Sequence, residues 1–152
     1  MTVQAVPDGY HTVTPYLIIT GAAQAIEFYK SAFGATELVR MPDPKGKIAH
    51  AEIKIGDSMI MLADEHPEMG YRGPRSLGGT SVSILLYVPD VDTVFERAIK
   101  AGGKSQRAVA DQFYGDRMGT FEDPFGHVWT IGTHIEDVAP EEMKRRMAAA
   151  SG

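Results

Sequence analysis

Two kinds of hydrophobic pattern follow one another along the chain, and the same order occurs twice. The apolar run Leu17–Thr20 is typical of a strand, and the apolar residues of Ala22–Phe33 recur at helical spacing, with Gly34 placed to end the helix. In the second half, Ile84–Val88 repeats the strand. Asp90–Gly102 repeats the helix, with Asp90 as the expected N-cap. The pattern therefore predicts a strand followed by a helix in each half.

Three further strand patterns follow each helix. They are Glu37–Met41, Lys47–Ile55 and Met59–Ala63 in the first half, and Lys104–Val109, Arg117–Phe121 and His127–Thr133 in the second. Each half reads β-α-β-β-β, which predicts an α+β protein. We expect residues 1–152 to form a single domain built from module 12–66 and module 81–135. A linker at 67–80 separates the modules, and an amphipathic C-terminal helix is expected at about 140–150.

Composition removes several classes of function. The chain of 152 residues has no cysteine, which excludes a disulfide framework, a thiolate metal site and a cysteine nucleophile. Its 15 Lys and Arg against 20 Asp and Glu, with one basic run at Lys144–Arg146, disfavour a nucleic-acid partner. The apolar runs are too short to span a membrane, and the first residues do not resemble a secretory signal. We therefore expect a cytoplasmic protein with neither a membrane nor a nucleic acid as partner.

Several short motifs carry a family resemblance from about Tyr10 to Asp137. Phe28-Tyr29, Phe33-Gly34-Ala35 and Asp123-Pro124-Phe125-Gly126-His127 resemble the vicinal oxygen chelate superfamily, the group of glyoxalases, bleomycin-resistance proteins and dihydroxybiphenyl dioxygenases. The strings 56–65 and 114–117 resemble its PhnB-like branch. The resemblance implies tandem βαβββ modules forming an eight-stranded, cup-shaped mixed sheet. It also implies helices outside the sheet, a ligand cavity inside it and a homodimer.

Enzymes of that superfamily usually hold a divalent metal with four side chains, two from each module. Carried over one at a time, the four positions fall on Thr14, Met61, Ser83 and Thr130. None of these residues is a good metal ligand, and neither are their immediate neighbours. We therefore predict no standard glyoxalase or extradiol dioxygenase metal site and no cofactor, with a nonstandard divalent metal site left as an alternative.

Strand alternation indicates what the cavity offers instead, if the four mapped positions face inward. On the third strand of module 12–66, Ala49, Ala51, Ile53 and Ile55 are expected to face the helix, which turns His50 and Glu52 toward the cavity. Tyr114 and Arg117, in a turn before the seventh strand, are further candidates. The predicted ligand-binding residues are therefore Thr14, Tyr16, Met59, Met61, Ser83, Leu85, Tyr87, Tyr114, Arg117 and Thr130. This pocket is mostly apolar, as small-molecule sites commonly are.

His50 and Glu52 are the candidate catalytic residues, because they lie two apart on one strand face and could form an acid/base pair. They could also supply two ligands of a nonstandard metal site, with a third ligand from residues 64–66. Alternatively, they could belong to a partly solvated strand face with no chemical role. Arg117 could clamp an anionic ligand with help from Asp116, or the two could fix the turn. His134 is expected on the surface.

Two functions from different classes fit these observations. The first is metal-independent binding or sequestration of a small apolar or aromatic molecule in the cavity. The second is a lyase or isomerase that uses His50 and Glu52 for proton transfer, with or without a nonstandard divalent metal. A homodimer with only an interaction role is a third reading. In every case the expected partners are a small molecule and a second copy of the chain.

Overall fold

The computed structural model describes residues 2–151 and contains the predicted order of elements in both halves. The first half contains β1 (Tyr16–Ile19), α1 (Ala22–Phe33), β2 (Thr36–Pro42), β3 (Ile48–Ile55) and β4 (Ser58–Asp64). A 3-10 turn (Pro67–Met69) and the single helical turn α2 (Pro74–Leu77) follow. The second half contains β5 (Ser83–Tyr87), α3 (Val91–Lys100), β6 (Lys104–Asp111), β7 (Asp116–Glu122), β8 (Val128–His134) and α4 (Pro140–Ser151).

The eight strands pair as two four-stranded sheets. Their orders are β1-β4-β3-β2 and β5-β8-β7-β6, with the first pair of each sheet parallel and the others antiparallel. The predicted α+β class and the tandem βαβββ order are confirmed. Unit 1 comprises residues 2–80 and 124–127, and unit 2 comprises residues 81–123 and 128–151.

Helix α1 covers one face of the sheet of unit 1. It packs on β1, β3 and β4, and Ile26 and Tyr29 are fully buried between helix and sheet. Residues at alternate positions on the strands, such as Ile53 and Leu62, are fully buried on this face because successive side chains of a strand point to opposite sides. The residues between them define the open face of unit 1, the side of the sheet away from α1.

Unit 2 is built in the same way around α3. This helix packs on β6, β7 and β8, and Phe95 makes an edge-to-face contact with Phe121, with ring centroids 6.0 Å apart. Trp129 is fully buried and donates from Nε1 to the buried carboxylate of Asp123 at 2.9 Å. The open face of unit 2 is correspondingly the side of its sheet away from α3.

In each unit, a polar side chain of the last strand anchors the start of the helix. Asp64 is buried and accepts hydrogen bonds from the backbone N–H groups of Gly21 and Ala22, at 3.0 and 2.9 Å, and of Ile48 at 2.7 Å. In unit 2, Thr133 Oγ1 accepts from Val91 N at 2.9 Å. These bonds satisfy N–H groups that have no partner within the helix.

The predicted linker contains regular structure. Pro67 is the first residue of the 3-10 turn, and Pro74 is the first residue of α2. Proline suits this position because its φ is fixed near the helical value and its missing N–H would have no partner there. Gly73 N donates to Glu65 at 2.6 Å, and the guanidinium of Arg75 donates to the carbonyl of Pro124. Glycine and proline in this segment therefore mark helix boundaries within unit 1.

One expected orientation on β3 is wrong. Ala51, Ile53 and Ile55 are buried toward α1 as predicted, but Ala49 is exposed and Ile48 is buried in its place. The pairing of β2 with β3 is irregular at this point, and such an irregularity reverses the alternation of side chains. Ala49 thereby joins the open face of unit 1.

Candidate functional site

The open face of unit 1 carries a row of chemically diverse side chains. In the sheet register, Tyr16 of β1 lies opposite Met61 of β4, and Met61 lies opposite Glu52 of β3. Lys54 lies opposite Met59 in the next row. The structure therefore brings together the predicted residues of module 12–66 that lie on strands.

Four polar side chains on this face form one hydrogen-bonded chain, here called the tyrosine-histidine-glutamate chain. Tyr10 donates from its hydroxyl to Glu52 Oε1, and Glu52 Oε2 lies 2.8 Å from His50 Nε2. His50 Nδ1 lies 2.9 Å from the hydroxyl of Tyr16. Only about a fifth of the His50 and Glu52 side chains is exposed, 20% and 19%. His50 and Glu52 are thus a directly bonded pair, as an acid/base arrangement requires.

A cleft of about 400 Å³ lies beside this chain. Its walls are mainly apolar or aromatic, and they are formed by Tyr16, Ile18, Ala49, Ala63, Asp64, His66, Met69 and Tyr71. Half of Tyr16 and half of Tyr71 are exposed, and two-thirds of Met69. Burial, with a contribution from Tyr71, raises the pKa of Tyr16, so its hydroxyl keeps its proton at neutral pH.

Sequence reasoning identified Tyr16 but not Tyr10, Met69 or Tyr71. Tyr10 precedes the first strand, and the other two lie in the segment predicted as a linker. Tyr71 is held in place by backbone hydrogen bonds with His66, at 2.9 and 3.1 Å. The available signal was the pair of prolines, Pro67 and Pro74, which indicated that this segment starts short helical turns.

The side chains of unit 1 do not form the metal site of the family. Thr14 and Met61 stand at two mapped positions, and Thr14 Oγ1 donates to the carbonyl of His11 at 3.4 Å. Of the proposed third ligands, Asp64 binds backbone N–H groups with both oxygens and Glu65 accepts from Gly73. Within residues 2–151, no group of three or more His, Asp or Glu side chains is arranged to hold a metal. These side chains do not fit the divalent ion that the resemblance implies.

The open face of unit 2 carries the other mapped positions. Leu85 lies opposite Thr130 in the register, and Ser83 lies on the same side of β5. Thr130 shares a hydrogen bond of 2.9 Å with the hydroxyl of Thr120. Leu85 and Tyr87 are 45% and 62% exposed, which leaves apolar surface on this face. A ligand role for these four predicted residues, Ser83, Leu85, Tyr87 and Thr130, stays a prediction.

A second polar cluster lies on unit 2 around the buried Asp116. Its carboxylate accepts from Tyr87 at 2.7 Å and lies 2.7 Å from His134 Nδ1, while His134 Nε2 lies 2.7 Å from Asp137. Burial raises the pKa of Asp116, but the hydrogen bonds from His134 and Tyr87 outweigh it, so its pKa is lowered. The hydrogen bond to Asp137, which has the larger effect, and the one to Asp116 raise the pKa of His134. Both ring nitrogens of His134 are therefore engaged, although half of its side chain is exposed.

Tyr114 and Arg117 have different hydrogen-bond partners. The Tyr114 hydroxyl donates to Met118 Sδ at 3.4 Å. Arg117 instead forms a fork with Asp92 at the start of α3, at 2.9 Å for both bonds, and binds Asp111 at 2.9 Å. These hydrogen bonds raise its already high pKa. Arg117 thus pairs with Asp92 and Asp111 and not with Asp116 as expected, and a ligand role for Tyr114 and Arg117 stays a prediction.

Across residues 2–151, no helix is long and apolar enough to cross a membrane. The cytoplasmic location, the homodimer and the absence of a nucleic-acid partner stay predictions.

Comparison with known proteins identifies the family of this chain. Residues 10–131 match the model of the Glyoxalase/Bleomycin resistance protein/Dioxygenase superfamily. The uncharacterized protein Rv0887c of Mycobacterium tuberculosis is 44% identical over 140 residues, which are 90% of this chain and 82% of that protein.

Solved structures share the fold. Protein PA1353 from Pseudomonas aeruginosa has a TM-score of 0.67 at 29% identity, covering 83% of this chain and 99% of its own. A PhnB protein from Bacillus cereus has a TM-score of 0.65 at 18% identity, covering 81% and 99%. The chain belongs to the Glyoxalase/Bleomycin resistance protein/Dioxygenase superfamily.

Proposed function

We propose that this protein binds a small aromatic or apolar molecule in the cleft of unit 1 without a metal ion. The observation that carries the proposal is the cleft itself, about 400 Å³ with Tyr16, Met69 and Tyr71 exposed along it. Concave, mainly apolar sites with a few polar groups are the usual form of small-molecule sites. Sequestration of a harmful aromatic compound is one use of such binding.

The size of the cleft sets the scale of affinity. A bicyclic aromatic ligand that buries roughly 150 Å² of apolar surface gains about 4 kcal/mol at about 25 cal/mol per Å². That gain corresponds to a Kd on the order of 1 mM, before the entropic cost of binding and the gain from polar contacts. Met69 and the two tyrosines suit this role because a methionine adapts its shape and aromatic rings stack on flat ligands.

Filling the cleft is expected to weaken ligand binding at least tenfold. Ala49 lies on the wall of the cleft and is exposed, so Ala49→Trp places an indole in the ligand's space without entering the core. We expect saturable binding of indole to the unmodified protein, and at least a tenfold weaker binding to Ala49→Trp. The measurement is a titration followed by ligand-observed NMR.

The matched control is Ala108→Trp, an exposed alanine on β6 of unit 2, which should leave indole binding unchanged. Thermal denaturation of both variants checks that the fold is retained. Unaltered indole binding by folded Ala49→Trp would contradict the proposal.

The tyrosine-histidine-glutamate chain favours a second candidate function, a lyase or isomerase that moves a proton. Both ring nitrogens of His50 are engaged, by Glu52 at 2.8 Å and by Tyr16 at 2.9 Å. A proton passing between His50 and a molecule in the cleft would therefore pass through the Tyr16 hydroxyl. The raised pKa of Tyr16 opposes formation of a phenolate, which is why binding is our first proposal.

Proton transfer would be visible as hydrogen exchange at an activated carbon. If the second function holds, phenylacetone in D₂O exchanges its α-protons faster with the protein than in buffer alone. Glu52→Gln then removes at least nine-tenths of the excess rate, because general acid–base groups contribute about 10²-fold or more. Glu27→Gln on the exposed face of α1 is the control and retains it. Exchange equal to the buffer rate for the unmodified protein counts against this function.

A further inference from the structure

We propose that the hydroxyl oxygen of Tyr16 accepts a hydrogen bond from the ligand, so that the cleft selects aromatic molecules that carry an N–H or O–H donor. This inference rests on the proposed function and names its ligand class. Tyr16 is placed for the role because its side chain belongs both to the cleft wall and to the tyrosine-histidine-glutamate chain.

The direction of the hydrogen bonds begins at Glu52. A carboxylate can only accept, and its two oxygens are engaged by Tyr10 and by His50 Nε2 at 2.8 Å. Each partner must therefore donate. Glu52 accordingly fixes His50 with its proton on Nε2, in the way that carboxylates orient the imidazoles of catalytic and metal sites.

The next hydrogen bond of the chain runs from Tyr16 to His50. In a neutral imidazole with Nε2 protonated, Nδ1 is an acceptor, and the Tyr16 hydroxyl lies 2.9 Å from it. The hydroxyl proton is thus committed to His50. The Tyr16 oxygen still has a lone pair free to accept a hydrogen bond from a molecule in the cleft.

Asp64, His66 and Tyr71 are the other polar side chains of the cleft. Both oxygens of Asp64 accept from backbone N–H groups of unit 1, at 2.7 to 3.0 Å. His66 Nδ1 lies 3.4 Å from Glu68. Tyr16 differs from Tyr71 because the chain directs its hydroxyl proton to His50, so Tyr16 is the hydroxyl that can only accept from a ligand.

Partial burial protects the bond that sets the His50 tautomer. About four-fifths of the His50 and Glu52 side chains is covered, and the hydrogen bond between them is partly buried, whereas the bond between His50 and Tyr16 is exposed. A ligand that presents an acceptor to the Tyr16 oxygen gains no hydrogen bond, and it leaves its own polar atom without a partner. A ligand with a donor completes the chain.

Three bicyclic probes of similar size separate the alternatives. Indole carries an N–H donor, 1-methylindole lacks it, and quinoline carries only an acceptor. One hydrogen bond is worth about 0.5 to 1.5 kcal/mol. We therefore expect indole to bind the unmodified protein about two- to tenfold more tightly than either other probe, with Kd values measured by NMR titration.

Variants locate the preference on the protein. Tyr16→Phe is expected to bring the three Kd values within about a factor of two of one another. Tyr71→Phe removes a hydroxyl of the same cleft that lies outside the chain, and it is expected to retain the preference. Glu52→Gln allows either tautomer of His50 and is expected to reduce the preference. Glu52 is a positioning residue, and ¹⁵N NMR of the His50 ring should show Nε2 protonated in the unmodified protein and a mixture in the variant.

The outcomes distinguish this inference from the proposed function. Saturable binding of all three probes with equal Kd, or a preference for indole that survives Tyr16→Phe, would overturn the inference and leave the binding function standing. Absence of saturable binding for all three would overturn the proposed function and the inference with it. Comparison of the probes on the unmodified protein needs no variant to fold.

Discussion

Asp64→Ala is expected to lower the free energy of unfolding by about 3 kcal/mol or more. The substitution leaves three backbone N–H groups, of Gly21, Ala22 and Ile48, without their acceptor, and a buried donor left unpaired costs about 1 to 3 kcal/mol. It also removes a negative charge from the N-terminus of α1. Urea denaturation followed by circular dichroism measures the change.

Two further variants make this prediction specific. Asp64→Asn can keep one oxygen toward Gly21 and Ala22 but turns an amide N–H₂ toward the N–H of Ile48, so an intermediate loss is expected. Asp57→Ala, in the exposed turn between β3 and β4, should change stability by no more than about 0.5 kcal/mol. A loss below about 1 kcal/mol for Asp64→Ala would contradict the anchoring role.

Gly115→Ala is expected to destabilise unit 2 by about 3 kcal/mol. Gly115 has φ of +99°, which costs an alanine about 1 to 2 kcal/mol, and a Cβ there would overlap the carbonyl oxygen of Glu136. Relieving the overlap separates segments joined by hydrogen bonds from Ile135 N and Glu136 N to the Gly115 carbonyl, at 2.9 and 3.0 Å. Fluorescence of Trp129, the single tryptophan, reports the unfolding of unit 2.

Gly46→Ala separates the two causes of this loss. Gly46 also has a positive φ, +86°, but a Cβ there meets nothing within 4 Å. It should therefore cost only the backbone strain, about 1 to 2 kcal/mol. Equal losses for both variants would show that the contact with Glu136 adds nothing.

Hydrophobic periodicity predicted the order of helices and strands, while their assembly into sheets was implied by the family resemblance. The 3.6-residue pattern placed α1 and α3, and period two placed the strands, because each element buries one side against the other. Ala49 was misplaced because the irregular pairing of β2 with β3 shifts the alternation, and pairing is a property of two strands that neither reveals alone.

The site was predictable only where it follows strand alternation. His50 and Glu52 were expected to share a face because they alternate with Ala51 and Ile53, and Tyr16 was expected there because it lies two residues after the mapped position Thr14. Tyr10 could not be placed, because it precedes the first strand and reaches Glu52 through a long separation in sequence. The orientation of Arg117 depended on Asp92, a charge on another element.

The most direct test of the account is a titration of ¹⁵N-labelled protein with indole, with and without a chelator. We predict saturable shifts concentrated at residues around the cleft of unit 1, among them Tyr16, Ala49, Ala63 and Tyr71, with the same Kd when EDTA is present. Shifts that do not saturate, that centre on the open face of unit 2, or that EDTA abolishes would contradict metal-independent binding in this cleft.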